Sequence, residues 1–278
     1  MTTRDKVIEK LILKARGLGI HVDEKGYVEI LEGNLIENFV CWEAIKESLE
    51  KGNGNEIKPS QGIEKPKFQA IFSSSALCVN SFAAVKENMR TIPFLGEDGF
   101  FMAQFEKKLY TGLGMANIDF YLQNEAVSIG IESKFLELLS PKLPNDKGNL
   151  TKYLKKADSL RFTSQSIIDL IKFYAEIKEP YCLDVAQLIK HTIALNAAAS
   201  LEKTKPILVY IYWTPENDST SESEYQLHSR EIEEFKARIS PIIEFKSIKY
   251  IDLWDDLATM RELNKYVQLL QRRYLISL

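Results

Sequence analysis

Two period-two runs constrain this chain more than any other stretch: Asn117-Ile118-Asp119-Phe120-Tyr121-Leu122 and Ala126-Val127-Ser128-Ile129-Gly130-Ile131-Glu132-Ser133-Lys134-Phe135. Both are rich in β-branched and aromatic residues. With the polar Gln123-Asn124-Glu125 between them as a turn, they read as an antiparallel hairpin. Parity expects Ile118, Phe120 and Leu122 to share one face of the first strand, and Val127, Ile129, Ile131 and Phe135 the apolar face of the second. The opposite face then carries Asn117, Asp119 and Tyr121 on one strand, and Ser128, Gly130, Glu132 and Lys134 on the other. A four-residue connection pairs Leu122 with Val127 and sets Asp119 across from Gly130, with Glu132 one diagonal step away at ~7–8 Å. Two carboxylates and an ammonium therefore converge, and the glycine opposite Asp119 leaves room for an ion or a phosphate. Hard oxygen ligands suit Mg²⁺, and a neighbouring cation suits a scissile phosphate. The bland alternative is a solvated Glu-x-Lys strand face that makes weak surface ion pairs. The upstream Asp119 is what argues against it.

With 278 residues, 45% of them hydrophobic and 27% charged, the chain is expected to form one large globular domain, or a domain with a small extension. A net charge of −3 supplies no overall basic signature, so contact with nucleic acid has to rest on a local patch. Cys41, Cys78 and Cys182 lack metal-ligand spacing and read as thiols in a reducing cytoplasm. No signal peptide opens the chain, and no apolar run approaches the ~18–20 residues of a membrane span, so a soluble, cytoplasmic protein without membrane contact is expected.

Along the chain, helical spacing runs from about Thr3 to Ala15 with Thr2 or Thr3 as cap, and again from Ile36 to Leu49. Between them Val22 to Ile30 reads as a short strand pair turning at Lys25-Gly26. The polar stretch from Lys51 to Lys67, with Pro59 and Pro66, is the best linker. This places a helical and hairpin extension with its linker at residues 1–65 and the main domain at 66–278. Ser73, Ser74 and Ser75 precede an apolar helix; they cap it, and hydroxyls in that position can also bind phosphate. Phe100 to Glu106 reads as a strand that brings Glu106, a third carboxylate, near its end and close to the other two. Ser140 to Lys156 reads as a loop that could move over a substrate, and Lys142, Lys147, Lys152, Lys155 and Lys156 make it the best local basic patch. A solvated loop accounts for those lysines equally well.

Helices are expected at Ile167–Ile177 and Leu183–Ala199; in the second, Gln187 and His191 stand four apart and share a face. Pro206 to Trp213 is a near-continuous apolar run, the mark of a strand covered on both faces. After a polar loop from Thr214 to Ser223, a charged helix runs from about Tyr225 to Ile239, then a strand at Lys249-Tyr250-Ile251 and a helix from Asp255 toward Arg272. The whole is α/β, a central mixed sheet flanked by helices.

This order, with Asp119 on one strand and Glu132-Ser133-Lys134 on the next, resembles the PD-(D/E)XK nuclease superfamily. The proline that often precedes the Asp is replaced by Met115-Ala116-Asn117-Ile118. Separated segments also resemble a bacterial group of restriction-endonuclease-like proteins, over about residues 36 to 258. They include Phe72 to Leu77 with Asn80, Phe105-Glu106, Ile131 to Lys134, Leu183 to His191, Tyr210 to Trp213, and Leu253-Trp254.

The resemblance implies a Mg²⁺-dependent endonuclease that hydrolyses DNA phosphodiester bonds, in restriction or defence, with Mn²⁺ able to substitute. It places Asp119, Glu132, Ser133 and Glu106 as metal-ligating positions, Lys134 as the group that positions water or stabilises charge, and Gln187 beside them in the catalytic set. Ser73, Ser74, Ser75, Asn80 and His191 are expected to bind substrate. DNA is the expected partner, with a homodimer as the assembly considered. A catalytically silent nucleic-acid-binding or scaffolding module that keeps the fold is the alternative.

Overall fold

The structure, a computed structural model, describes residues 1–36, 40–51, 56–59, 64–216 and 223–278. Its helices and strands, in chain order, are α1 (Thr3–Gly17), α2 (Trp42–Lys51), α3 (Ser74–Glu87), β1 (Met102–Tyr110), β2 (Met115–Gln123), β3 (Val127–Lys134), α4 (Asn149–Lys155), α5 (Gln165–Glu176), α6 (Val185–Glu202), β4 (Lys205–Tyr212), α7 (Ser223–Ile239), β5 (Glu244–Lys249), α8 (Tyr250–Ala258) and α9 (Asn264–Tyr274). The strands form one sheet in the order β1-β2-β3-β4-β5. The first three pair antiparallel, and β3, β4 and β5 run parallel.

Each face of the sheet carries its own apolar layer. On one, Val7 and Leu11 of α1, Trp42 and Ile45 of α2, and Phe82 of α3 join Phe120, Ile131 and Val209. On the other, Ile171 of α5, Leu188 and Leu195 of α6 and Phe235 of α7 meet Ile118, Leu208 and Tyr210. The result is a three-layer α/β/α sandwich. Ile207, Val209 and Ile211 of β4 point into the first layer and Leu208, Tyr210 and Tyr212 into the second, which is why that strand is apolar throughout. Residues of the first 65 thus share a core with the sheet; part of the expected linker, 52–55 and 60–63, lies outside the described residues. Among the described residues no helix is long and apolar enough to cross a membrane.

Local chemistry sets the boundaries. Thr2 and Asp5 form a reciprocal capping box on α1, and Ser73 caps α3 by accepting from the Ala76 N–H. Gly26, at φ +83°, turns a minimal hairpin held by the Val22–Val28 bridge. The helix expected from Ile36 begins at Trp42, with 37–39 outside the described residues. The segment expected as a loop at 140–156 holds α4, which buries Leu150 and is started by the Asn145 side chain accepting from the Leu150 and Thr151 N–H groups. The strand expected at Lys249–Ile251 is instead β5, ending at Lys249, and Tyr250 opens α8.

The central hairpin departs from expectation in register. Leu122 pairs with Ile129 and Tyr121 with Gly130, two residues from the expected pairing, and a shift by an even number does not by itself exchange the faces of either strand. The cause is Asn124: its side chain accepts from the Ala126 and Val127 N–H groups and donates to the Asp98 carbonyl, moving the turn to 124–127. Gly130 therefore faces Tyr121 and not Asp119. A Cβ there would meet Leu195 at 3.2 Å, so the glycine lets α6 approach the sheet and leaves no space for an ion. The alternation of β2 also breaks. Ile118 lies in the α6 layer and Phe120 in the α3 layer, with Asp119 at the crossing.

Candidate active site

Asp119 sits where two strands part. The β2–β3 ladder is last paired at Phe120–Ile131, and beyond it the Ser133 N–H donates to Asp119 Oδ2 at 2.7 Å. A carboxylate thus stands in for a neighbouring strand's carbonyl. Burial, then the charges of Glu132 and Glu106, hold the Asp119 carboxyl well above its usual range, against the opposing pull of Lys134.

Glu132, fully buried, is gripped on both oxygens. Lys134 Nζ lies 2.5 Å from Oε1, and His191 Nε2 donates to Oε2 at 2.6 Å. Those partners overcome the cost of burial and hold its carboxyl down at about 2. The contact to Oε1 is an ion pair without hydrogen-bond alignment. Since the carboxylate only accepts, Nε2 of His191 carries the proton. Glu132, its first and largest favourable charge, keeps Lys134 firmly protonated despite burial. Gln187 Oε1 accepts from Lys134 Nζ at 2.9 Å, so the ammonium is shared between β3 and α6. The four-residue spacing of Gln187 and His191 thus brings both onto the motif residues, with His191 against Glu132 and buried.

Glu106 comes from the middle of β1 and not its end. It adopts φ +53° opposite Asp119, at the one position where the β1–β2 ladder is interrupted. A non-glycine residue held in the left-handed region is strained, and such strain collects at functional sites. Burial, then Glu56 and Glu132, raise its carboxyl to about 7. Sequence reasoning missed Glu56. It lies beside this cleft, 3.8 Å from Lys67, with burial raising its carboxyl as well. It sits in a polar stretch without periodicity, where no pattern marks it.

The remaining expected residues divide. Ser73, Ser74 and Ser75 line the same cleft as Glu106, Asp119, Glu132 and Lys134, as do Arg4 and Asn117. Ser133 lines it too, but its hydroxyl is 2.6 Å from the Tyr250 hydroxyl, on the side of α8, and it meets Asp119 through its backbone. Asn80 is not at the site. Fully buried in α3, it accepts from the Ile36 N–H and donates to the Asn34 carbonyl and the Tyr274 hydroxyl, binding the chain's N-terminal segment to α9. No substrate can reach it, and that expectation is corrected. Tyr121 and Ser128 hydrogen-bond each other at 3.0 Å within the core. Of the five lysines at 142–156, Lys142 and Lys152 reach the cleft on the α6 side. Lys142 is paired with Asp184 at 2.5 Å.

The donor set suits a hard dication in its chemistry, because buried carboxylates outnumber the cations beside them and the carboxyls of Glu106 and Asp119 are held above their usual range, a strain that a dication relieves. Among the described residues no three His, Cys, Asp or Glu side chains stand close enough to hold one ion together. As placed, protein oxygens could fill a minority of the positions of an ion such as Mg²⁺, which customarily keeps several waters.

A mixed sheet covered on both faces, with its acidic and basic motif residues at the parting of two strands, is the architecture of a restriction-endonuclease-like α/β protein, and this chain is of that class. It belongs to the REase-ARP family, restriction endonuclease associating with ARP, which it matches over residues 5–275. No curated protein and no solved structure matches it significantly.

Proposed function

We propose that the chain is a Mg²⁺-dependent endonuclease that hydrolyses DNA phosphodiester bonds, with Mn²⁺ able to substitute. The observation that carries this reading is the convergence of Asp119, Glu132 and Lys134 at the splayed end of β2 and β3. A bound Mg²⁺ would polarise a phosphoryl oxygen and lower the pKa of a water molecule, and Asp119 with one of Glu132 and Glu106 would hold it, water filling the other positions.

The chain's own residues supply the rest. His191 keeps Glu132 in one orientation as a carboxylate, and Gln187 aims the Lys134 ammonium. That ammonium is a fixed positive charge for the negative charge that develops on a phosphate under attack. Ser74 and Ser75 line the same cleft at the N-terminus of α3, the end of a helix that an anion prefers.

One observation favours the silent binding module: both oxygens of Glu132 are already engaged. Incubating plasmid DNA with the protein, with and without Mg²⁺, separates the two. Nicking or linearisation that needs Mg²⁺ and disappears in Asp119→Asn supports the nuclease; DNA binding without cleavage under any divalent ion supports the silent module.

A further inference from the structure

The cleft is electrically lopsided. Around Asp119 it gathers the carboxylates Glu56, Glu106, Glu132 and Glu137. Beyond Gln187 and His191 it opens into a second cavity of about 540 Å³, between the start of β2, α4 and α6, where the balance is reversed. Lys152 of α4 and Lys190 of α6 both line it, and among the described residues neither has a carboxylate within ion-pair distance. Lys190 is half-buried. Its ammonium is pushed down first by that burial; the charge of Glu132 opposes the shift, and Lys152, whose charge reaches the same space, adds to it. At the cavity wall the Asn117 side-chain oxygen is buried without a hydrogen-bond partner.

Two ammonium groups that line one cavity without a carboxylate partner repel each other, an arrangement relieved by an anion between them. The Asn117 amide also lines this cavity, and its N–H groups are donors of the kind an anion there takes. Lysine is suited to phosphate as a point charge on a flexible stem. The acidic end of the cleft repels a polyanion, so the basic end has to supply its grip.

We propose that Lys152, Lys190 and Asn117 form a phosphate subsite that holds a nucleic-acid strand one step from the scissile bond, on the α6 side of the cleft. The identity of the strand rests on the nuclease reading; the affinity for phosphate anions does not. Lys152 and Lys190 act on binding and not on chemistry.

The first measurement uses the unmodified protein, lysine acylation read by mass spectrometry, and inorganic pyrophosphate as the probe. Pyrophosphate is expected to protect Lys152 and Lys190 while Lys147 and Lys155, outside the cavity, react as before. The second is anisotropy of a labelled oligonucleotide in EDTA. Lys152→Gln and Lys190→Gln are each expected to weaken binding about tenfold and to flatten the salt slope by about one unit, while Lys155→Gln does neither. No protection together with wild-type binding by both variants overturns the subsite. If plasmid is cleaved and both lysines prove indifferent, the subsite fails and the nuclease reading stands; if pyrophosphate protects them and plasmid is never cut, the reverse holds.

Discussion

Asp119 Oδ2 accepts the backbone N–H of Ser133 at 2.7 Å, across the point at which β2 and β3 stop pairing. One oxygen of the aspartate is thereby fixed by the fold, and the carboxyl is kept raised by burial and by two neighbouring carboxylates. In Asp119→Asn the side-chain oxygen still accepts from Ser133 while the unfavourable charge is gone. The variant is expected to lose cleavage and any metal-induced thermal shift, with a Tm no lower than wild type. Differential scanning fluorimetry with and without Mn²⁺ checks this; a large fall in Tm would mean that the charge itself supports the fold.

Glu132 and Lys134 should separate by role. Glu132→Ala removes an anionic oxygen pair and is expected to lose both metal binding and turnover. Lys134→Ala removes a cation that repels the ion, so Mn²⁺ affinity should hold or rise while turnover vanishes. Because it leaves Glu132 buried with His191 alone, it should also cost about 3 kcal/mol of stability. Calorimetric Mn²⁺ titration decides, and equal loss of affinity in both variants would show that Lys134 instead orients the carboxylates.

Gly130 tests the placement of α6. A Cβ at that position meets both terminal carbons of Leu195, at 3.2 and 3.3 Å. Gly130→Ala is expected to destabilise by about 1–2 kcal/mol through overpacking. Cleavage should fall more than stability does, because Gln187 and His191 ride on the displaced helix. Urea denaturation beside a cleavage assay measures both, and activity that simply tracks the folded fraction would sever the link.

Stability should also fall with pH through Glu106. Its folded pKa, about 7, lies above the ordinary glutamate value, so the folded state binds more protons in between. That contribution is complete below about pH 4.5 and is lost as pH rises through 7, an effect of order 3 kcal/mol before screening is discounted. Glu106→Gln should remove the slope, and Mg²⁺ should reduce it in the unaltered protein if the ion neutralises this cluster. Denaturant midpoints at pH 5, 7 and 9 give the answer; identical slopes in both proteins would remove Glu106 as the source.

The parts of the site legible in the sequence are those that periodicity governs. Alternation put Glu132 and Lys134 on one face of a strand, and helical spacing put Gln187 and His191 together, because both depend on local backbone geometry. The register of the hairpin was not legible, since it turned on how one side chain, Asn124, spends its hydrogen bonds. The face of Ile118 was missed because the alternation breaks where Glu106 enters the left-handed region. Asn80 stood among the segments of the resemblance, yet its partners are the Ile36 and Asn34 backbone and the Tyr274 hydroxyl, all far away in sequence, and only tertiary structure tells such a role from substrate binding.

Gln187, Lys190 and His191 occupy little more than one turn of α6, a helix seated on the sheet by Leu188, Ile189, Ile193 and Leu195, all fully buried. The three therefore have no independent adjustment. A slide of one residue along the helix axis, ~1.5 Å, would withdraw His191 from Glu132, Gln187 from Lys134 and Lys190 from its cavity in a single movement. Packed interfaces of this kind settle into discrete positions and do not yield gradually. The two side chains that hold the Glu132–Lys134 pair and the lysine that lines the neighbouring cavity are thus tied to one mechanical coordinate, so that any change in the seating of α6 is felt at both places at once.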